Sequence, residues 1–238
     1  MTGKQTPAEA TAHTADQITE QIATVLADLK PKLRGWLHAV TAPLTLAAGI
    51  VLIALSPTTA TRVGSIVFTA TSLLLFSVSA VYHRGSWGPR AWSYLQRFDH
   101  ANIFLLIAGS YTPFALLLLE GRARATLLAI AWGGAIAGVA LRLLWQGAPR
   151  WFYVPIYIAL GWAAVFYIPE FLASGSTAVF VLIATGGVLY TLGGVVYGLQ
   201  RPDPFPKWFG FHEVFHTFTI AAFITHYVGV SLATYSLR

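Results

Sequence analysis

The sequence of 238 residues contains no cysteine. Disulfides, thiolate nucleophiles and metal sites with sulfur ligands are therefore excluded. Charge is also scarce: Asp, Glu, Lys and Arg together make up 10% of the chain, against roughly 25% in a soluble domain. Lysine ends at Lys207, so the last apolar segment offers no amine for a retinal Schiff base. Residues 1–35 lack an apolar core of the length a cleavable signal peptide needs, and none is expected.

What the chain has in excess is apolar surface, with 56% hydrophobic residues. A soluble fold of this size could not bury that much, so the remainder must face lipid. Seven segments are long enough to cross a bilayer as helices: Trp36–Leu55, Val63–His83, Asp99–Leu119, Thr126–Trp145, Trp151–Leu172, Thr177–Leu199 and Phe211–Thr234. Backbone polarity leaves helices as the only solution for such segments in lipid. The expectation is an all-α, polytopic seven-helix bundle over residues 36–238. Glycines in the fourth segment (Gly133, Gly134, Gly138) and the sixth (Gly186, Gly187, Gly193, Gly194) predict close helix packing. Tryptophans 36, 87, 92, 145, 151 and 208 fall near segment ends, where an aromatic belt is expected.

Residues 1–35 form the tail. Positions 1–13 are polar and predicted to be disordered. Ile18, Ile22, Val25, Leu29 and Leu33 recur at helical spacing, which predicts a short amphipathic helix over 15–30 on the cytoplasmic membrane surface; the alternative is a helix that packs on nothing. The net charge of +6 follows from basic residues beside apolar spans and does not call for nucleic acid. With the N-terminus inside, eleven of the 15 Lys and Arg fall on the cytoplasmic side and four outside, a bias that places the C-terminus outside.

Ionisable residues at membrane depth are costly and tend to carry function. His83 ends the second segment, Asp99 opens the third, and His212 and His216 open the seventh, so all four share one depth. The i, i+4 spacing of His212 and His216 puts both imidazoles on one helix face. A third imidazole from His83 would complete an open three-His site with a position left for water, an arrangement suited to Zn2+. Asp99 could ligate the metal or accept a hydrogen bond from its water. Ser79, one turn before His83, could point at the site or bond back to its own helix. The alternative for the whole group is a neutral, hydrogen-bonded polar cluster.

Other polar residues receive blander readings. His100 and His38 are expected at the interface, and His226 is expected as a core histidine bonded to Ser or Thr, with membership of a proton relay as the alternative. Glu213 is expected either to support the ligands beside it or to face the rim. Tyr111-Thr112-Pro113 predicts a kink in the third segment. Residues 201–206, Arg-Pro-Asp-Pro-Phe-Pro, predict a stiff loop that fixes where the seventh helix begins.

Three blocks and one residue together carry a resemblance: Ser79-Ala80-Val81-Tyr82-His83, Asp99, Ile107-Ala108-Gly109-Ser110-Tyr111-Thr112-Pro113-Phe114 and His212-Glu213-Val214-Phe215-His216. The combination resembles the hemolysin III branch of the progestin and adipoQ receptor (adiponectin receptor-like) family. The resemblance implies a seven-helix fold with an inside N-terminus, in a cell membrane. It also implies zinc held by His83, His212 and His216, with Asp99 and Ser79 around the metal's water. Relatives often carry an acidic residue ahead of a Thr-His pair in the first span; Trp36-Leu37-His38-Ala39 has no such acid, so no role is carried onto that span. The function implied is zinc-dependent hydrolysis of lipid amides or esters, as in alkaline ceramidases, with membrane lipids as partners. The alternative is a non-enzymatic lipid sensor or cytolytic protein with structural zinc.

Overall fold

The computed structural model describes residues 31–145, 147–174 and 176–237. The polar tail and the expected amphipathic helix over 15–30 lie outside the described residues. Seven helical stretches are long and apolar enough to cross a membrane, which makes the chain a multi-pass membrane protein. They comprise α1 (Trp36–Ala54), α2 (Thr59–Arg84), α3 (Pro89–Leu118), α4 (Gly121–Leu144), a fifth span over Arg150–Ser174, α7 (Thr177–Leu199) and α8 (Phe211–Tyr235). Large apolar side chains such as Leu44, Ile136 and Val181 are exposed around the bundle, as a lipid-facing surface requires. The six tryptophans expected at span ends are all exposed.

Burial is uneven, and this decides where a site can lie. The most apolar window of α3 is 72% buried, against 17% for the fifth span. The central helix is thus α3, packed against α2, α4 and α8. It starts at Pro89, ten residues before Asp99, because proline at the first helical position needs no amide partner. Asp99 therefore sits three turns inside the helix and does not open it. The helix also continues without interruption through Pro113 to Leu118.

The fifth span departs from the expected continuous helix. It consists of α5 (Arg150–Gly161), a 3-10 segment (Ala163–Tyr167) and α6 (Ile168–Ser174). A break at membrane depth frees backbone groups that lipid cannot satisfy. Tyr111 of α3 meets that demand. Its hydroxyl donates to the carbonyls of Leu160 and Gly161 and accepts from Ala164 N.

Glycines permit the closest approaches. A Cβ at Gly138 would fall 2.3 Å from the Phe104 ring, and one at Gly186 would fall 2.2 Å from the His226 ring. Gly133 and Gly187, also expected to pack, meet no neighbour.

Before α8, residues 31–33 run beside the loop at 205–209, with Lys32 N donating to Lys207 O and Leu33 N to Trp208 O. Asp203 Oδ1 accepts from Phe211 N at 2.8 Å and Glu213 Oε2 from Gly210 N at 2.9 Å. Carboxylates thus satisfy amides at the helix N-terminus, where the dipole favours them. The loop expected to set the start of α8 thus meets it through the Asp203 carboxylate.

Candidate metal centre

The histidines come together from two helices. His83 ends α2, and His212 and His216 occupy the first two turns of α8. All three are buried, and one ligand nitrogen from each lies within 4.8 Å of the other two. His212 Nε2 and His83 Nε2 are 3.1 Å apart. Tetrahedral Zn–N bonds of about 2.05 Å would set ligand nitrogens about 3.3 Å apart, so the pair fits one ion. The same separation fits a hydrogen bond between neutral imidazoles. His216 Nδ1 has no hydrogen-bond partner among the described residues. Three buried imidazoles that each offer a nitrogen to one point are a donor set suited to zinc.

Asp99 joins the cluster from α3, with Oδ2 3.7 Å from His83 Nε2. Ser79 is 2% exposed and neighbours the Asp99 carboxylate without a well-formed bond. The five residues singled out in the sequence therefore share one place.

Several side chains differ from their expected positions. His38 is 2% exposed, not interfacial. Its ring stacks on His216 with centroids 3.7 Å apart and meets Phe76 edge-on. Neither ring nitrogen has a hydrogen-bond partner among the described residues. A signal was present in the sequence: His38, Thr41, Thr45, Gly49 and Leu52 recur at helical spacing and form the buried face of α1.

His100 is also buried. Its Nε2 lies 2.9 Å from the Tyr197 hydroxyl and its Nδ1 is met by Arg142 Nη2 at 3.1 Å. It is no part of the three-His group, in keeping with its position one residue round the helix from Asp99. Glu213 does not face a rim: it is fully buried and paired with Arg34 Nε. His226 bonds the Ile183 carbonyl through Nε2 at 3.2 Å, where a Ser or Thr partner was expected.

A cavity of about 250 Å³ opens from the cluster. Ser79, Asp99, His212 and His216 lie at one end, and mostly apolar side chains of α3, the fifth span and α7 form its walls. Along α8 it extends from His212 to His226, about 21 Å of helix rise.

A family profile described as Haemolysin-III related matches residues 27–227. The chain belongs to the haemolysin-III related family. It is 30% identical over 186 residues to Hemolysin-3 of Bacillus cereus, covering 77% of this chain and 82% of that protein. It is 29% identical over 154 residues to the Hemolysin-3 homolog of Bacillus subtilis (strain 168), covering 65% and 69%. For this haemolysin-III related chain the matched region includes every member of the histidine cluster, together with Ser79 and Asp99.

Proposed function

We propose that this haemolysin-III related protein is a zinc-dependent hydrolase of lipid amides or esters, seated in the plasma membrane with its site toward the cytoplasm. The observation that carries the reading is the position of the polar cluster at one end of an apolar cavity. An acyl chain can lie along the walls while its carbonyl group meets the histidines, and the cavity shape favours one extended chain.

His83, His212 and His216 would hold the ion. When bound, zinc supplies a Lewis acid and lowers the pKa of a coordinated water to about 7. The chain's own groups do the rest. Asp99 accepts the proton of the attacking water at a carboxylate oxygen and returns it to the leaving nitrogen or oxygen. Ser79, beside it, would orient the carboxylate through its hydroxyl. The walls exclude bulk water, which strengthens each electrostatic contact inside.

The test is zinc content and lipid-amide turnover measured on the same preparation. Asp99→Asn keeps size and removes the base. It should retain zinc and lose turnover by about 10²–10⁴-fold. Ser79→Ala should lose less. Zinc lost in Asp99→Asn, with no turnover by the parent protein on any lipid amide or ester, would overturn the reading. A second reading would then stand: a lipid sensor or cytolytic protein with the ion as a staple, which the relatives' name, hemolysin, favours.

A further inference from the structure

The cavity holds a second polar group, far from the histidine cluster. Ser110 of α3, Tyr190 of α7 and His226 of α8 all line it. Ser110 Oγ, the Tyr190 hydroxyl and His226 Nδ1 are buried without a hydrogen-bond partner among the described residues. Ser110 and Tyr190 neighbour one another without a well-formed bond. His226 and Ser110 are only 8% and 6% exposed, so solvent does not satisfy them from outside.

Two threonine hydroxyls on the same walls are satisfied, by contrast. Thr219 bonds the Phe215 carbonyl. Thr191 bonds the Gly187 carbonyl and accepts from Trp162 Nε1. Leaving buried polar atoms unpaired is costly, so a group of three such atoms on a cavity wall marks a place for a polar ligand group. The tautomer of His226 follows from its partner. A carbonyl can only accept, so Nε2 carries the proton and Nδ1 is an acceptor. The trio thus offers one obligate acceptor beside two hydroxyls, a match for an alcohol O–H that donates to Nδ1 and accepts from Ser110 or Tyr190. Gly186 makes room for the His226 ring, since a Cβ there would meet it at 2.2 Å.

Two helices give the distance independently. His226 is ten residues beyond His216 on α8, and Ser110 is eleven beyond Asp99 on α3. Both separations amount to about 15–16 Å of rise. An extended acyl chain covers that in roughly a dozen carbons. Between the two polar groups the wall is mostly apolar, with Ile103, Ile107 and Phe215, and the one threonine there, Thr219, has its hydroxyl bonded to its own helix.

We propose that Ser110, Tyr190 and His226 form a hydroxyl-reading subsite, selecting lipids whose acyl chain bears an alcohol about twelve carbons from its carbonyl group. The inference rests on the acyl-chain reading of the cavity. It is tested by binding to the purified full chain in detergent, with radiolabelled stearic acid displaced by unlabelled stearic or 12-hydroxystearic acid. The hydroxy acid should bind about tenfold more tightly, the scale of one well-placed hydrogen bond to a buried polar group. Moving the hydroxyl to the sixth carbon should remove the gain. His226→Phe and Ser110→Ala should each bring the ratio toward one while stearic acid still binds. Should His226→Phe fail to fold, Ser110→Ala and the position series decide alone. Equal binding of the two acids by the parent protein would overturn the subsite and leave the trio as a water site. A preference unchanged in both variants, or the same at every hydroxyl position, would overturn it as well. Binding of neither acid would defeat the acyl-chain reading itself, and the subsite with it.

Discussion

The His216 ring lies flat against a second ring, and its Nδ1 has no hydrogen-bond partner among the described residues. The His38 imidazole stacks on it at 3.7 Å with the planes 11° apart, and Phe76 meets the His38 ring edge-on. Groups that orient a metal ligand are worth about 10–100-fold in metal affinity. His38→Phe keeps a stacking ring and should retain zinc, whereas His38→Ala should weaken it within that range, read by metal competition on purified protein. Equal loss in both variants would mean that a His38 nitrogen, not its ring face, matters. The ligands themselves should behave differently: Ala at His83, His212 or His216 should each release most of the zinc, while His100→Ala should not, by elemental analysis. The four cluster residues were legible in the sequence because His212 and His216 share a helix face and His83 and Asp99 share their depth. His38 was not, because a lone histidine near a span end has the same local pattern whether it faces lipid headgroups or the core. Only the stripe of Thr41, Thr45 and Gly49 below it tells the two apart.

At the scale of elements, two of the three ligands depend on where α8 begins. That start is tied to the segment before α1 through Arg34 and the fully buried Glu213, whose other oxygen accepts from Gly210 N. Removing one partner of a buried ion pair leaves an uncompensated charge and costs about 3–5 kcal/mol; Arg34 is 19% exposed, so the low end applies. Arg34→Ala should therefore lower thermal stability and zinc affinity together. Arg34→Ala with Glu213→Gln should recover much of the stability, because the stranded charge is gone. A double variant no more stable than Arg34→Ala would show that the pair is not what fixes this junction. The junction could not be read from the sequence, since Arg34 and Glu213 are 179 positions apart. The break in the fifth span was hidden for another reason. Residues 151–172 are apolar throughout, and hydropathy does not report which helix supplies the hydroxyl that makes a break tolerable. Tyr111 was visible, but only as the neighbour of a proline.

Over the whole molecule, seven helices long and apolar enough to cross would put the start of α1 and the end of α8 on opposite sides of a membrane. Which side is which decides whether the histidine cluster faces the cytoplasm. The described basic residues are unevenly divided: Lys32, Arg34, Arg84, Arg90, Arg97, Arg142, Arg150, Arg201 and Lys207 lie toward the end of the bundle that holds the cluster, and Arg62, Arg122 and Arg124 toward the other. Lys and Arg in short loops are retained on the cytoplasmic side, so the cluster end should face inward. The bias does not depend on the histidines or on Asp99, because none of them was used to set it. An enzyme reporter that matures only outside the cytoplasm should be active when fused after Arg238 and inactive when fused after Gln200. Activity after Gln200 and none after Arg238 would place the cluster outside and end the cytoplasmic assignment, although the three imidazoles would still share one end of the bundle. Activity at neither position would mean that the last span does not cross. His212 and His216 could not then reach the depth of His83, and the metal centre would lose two of its three ligands.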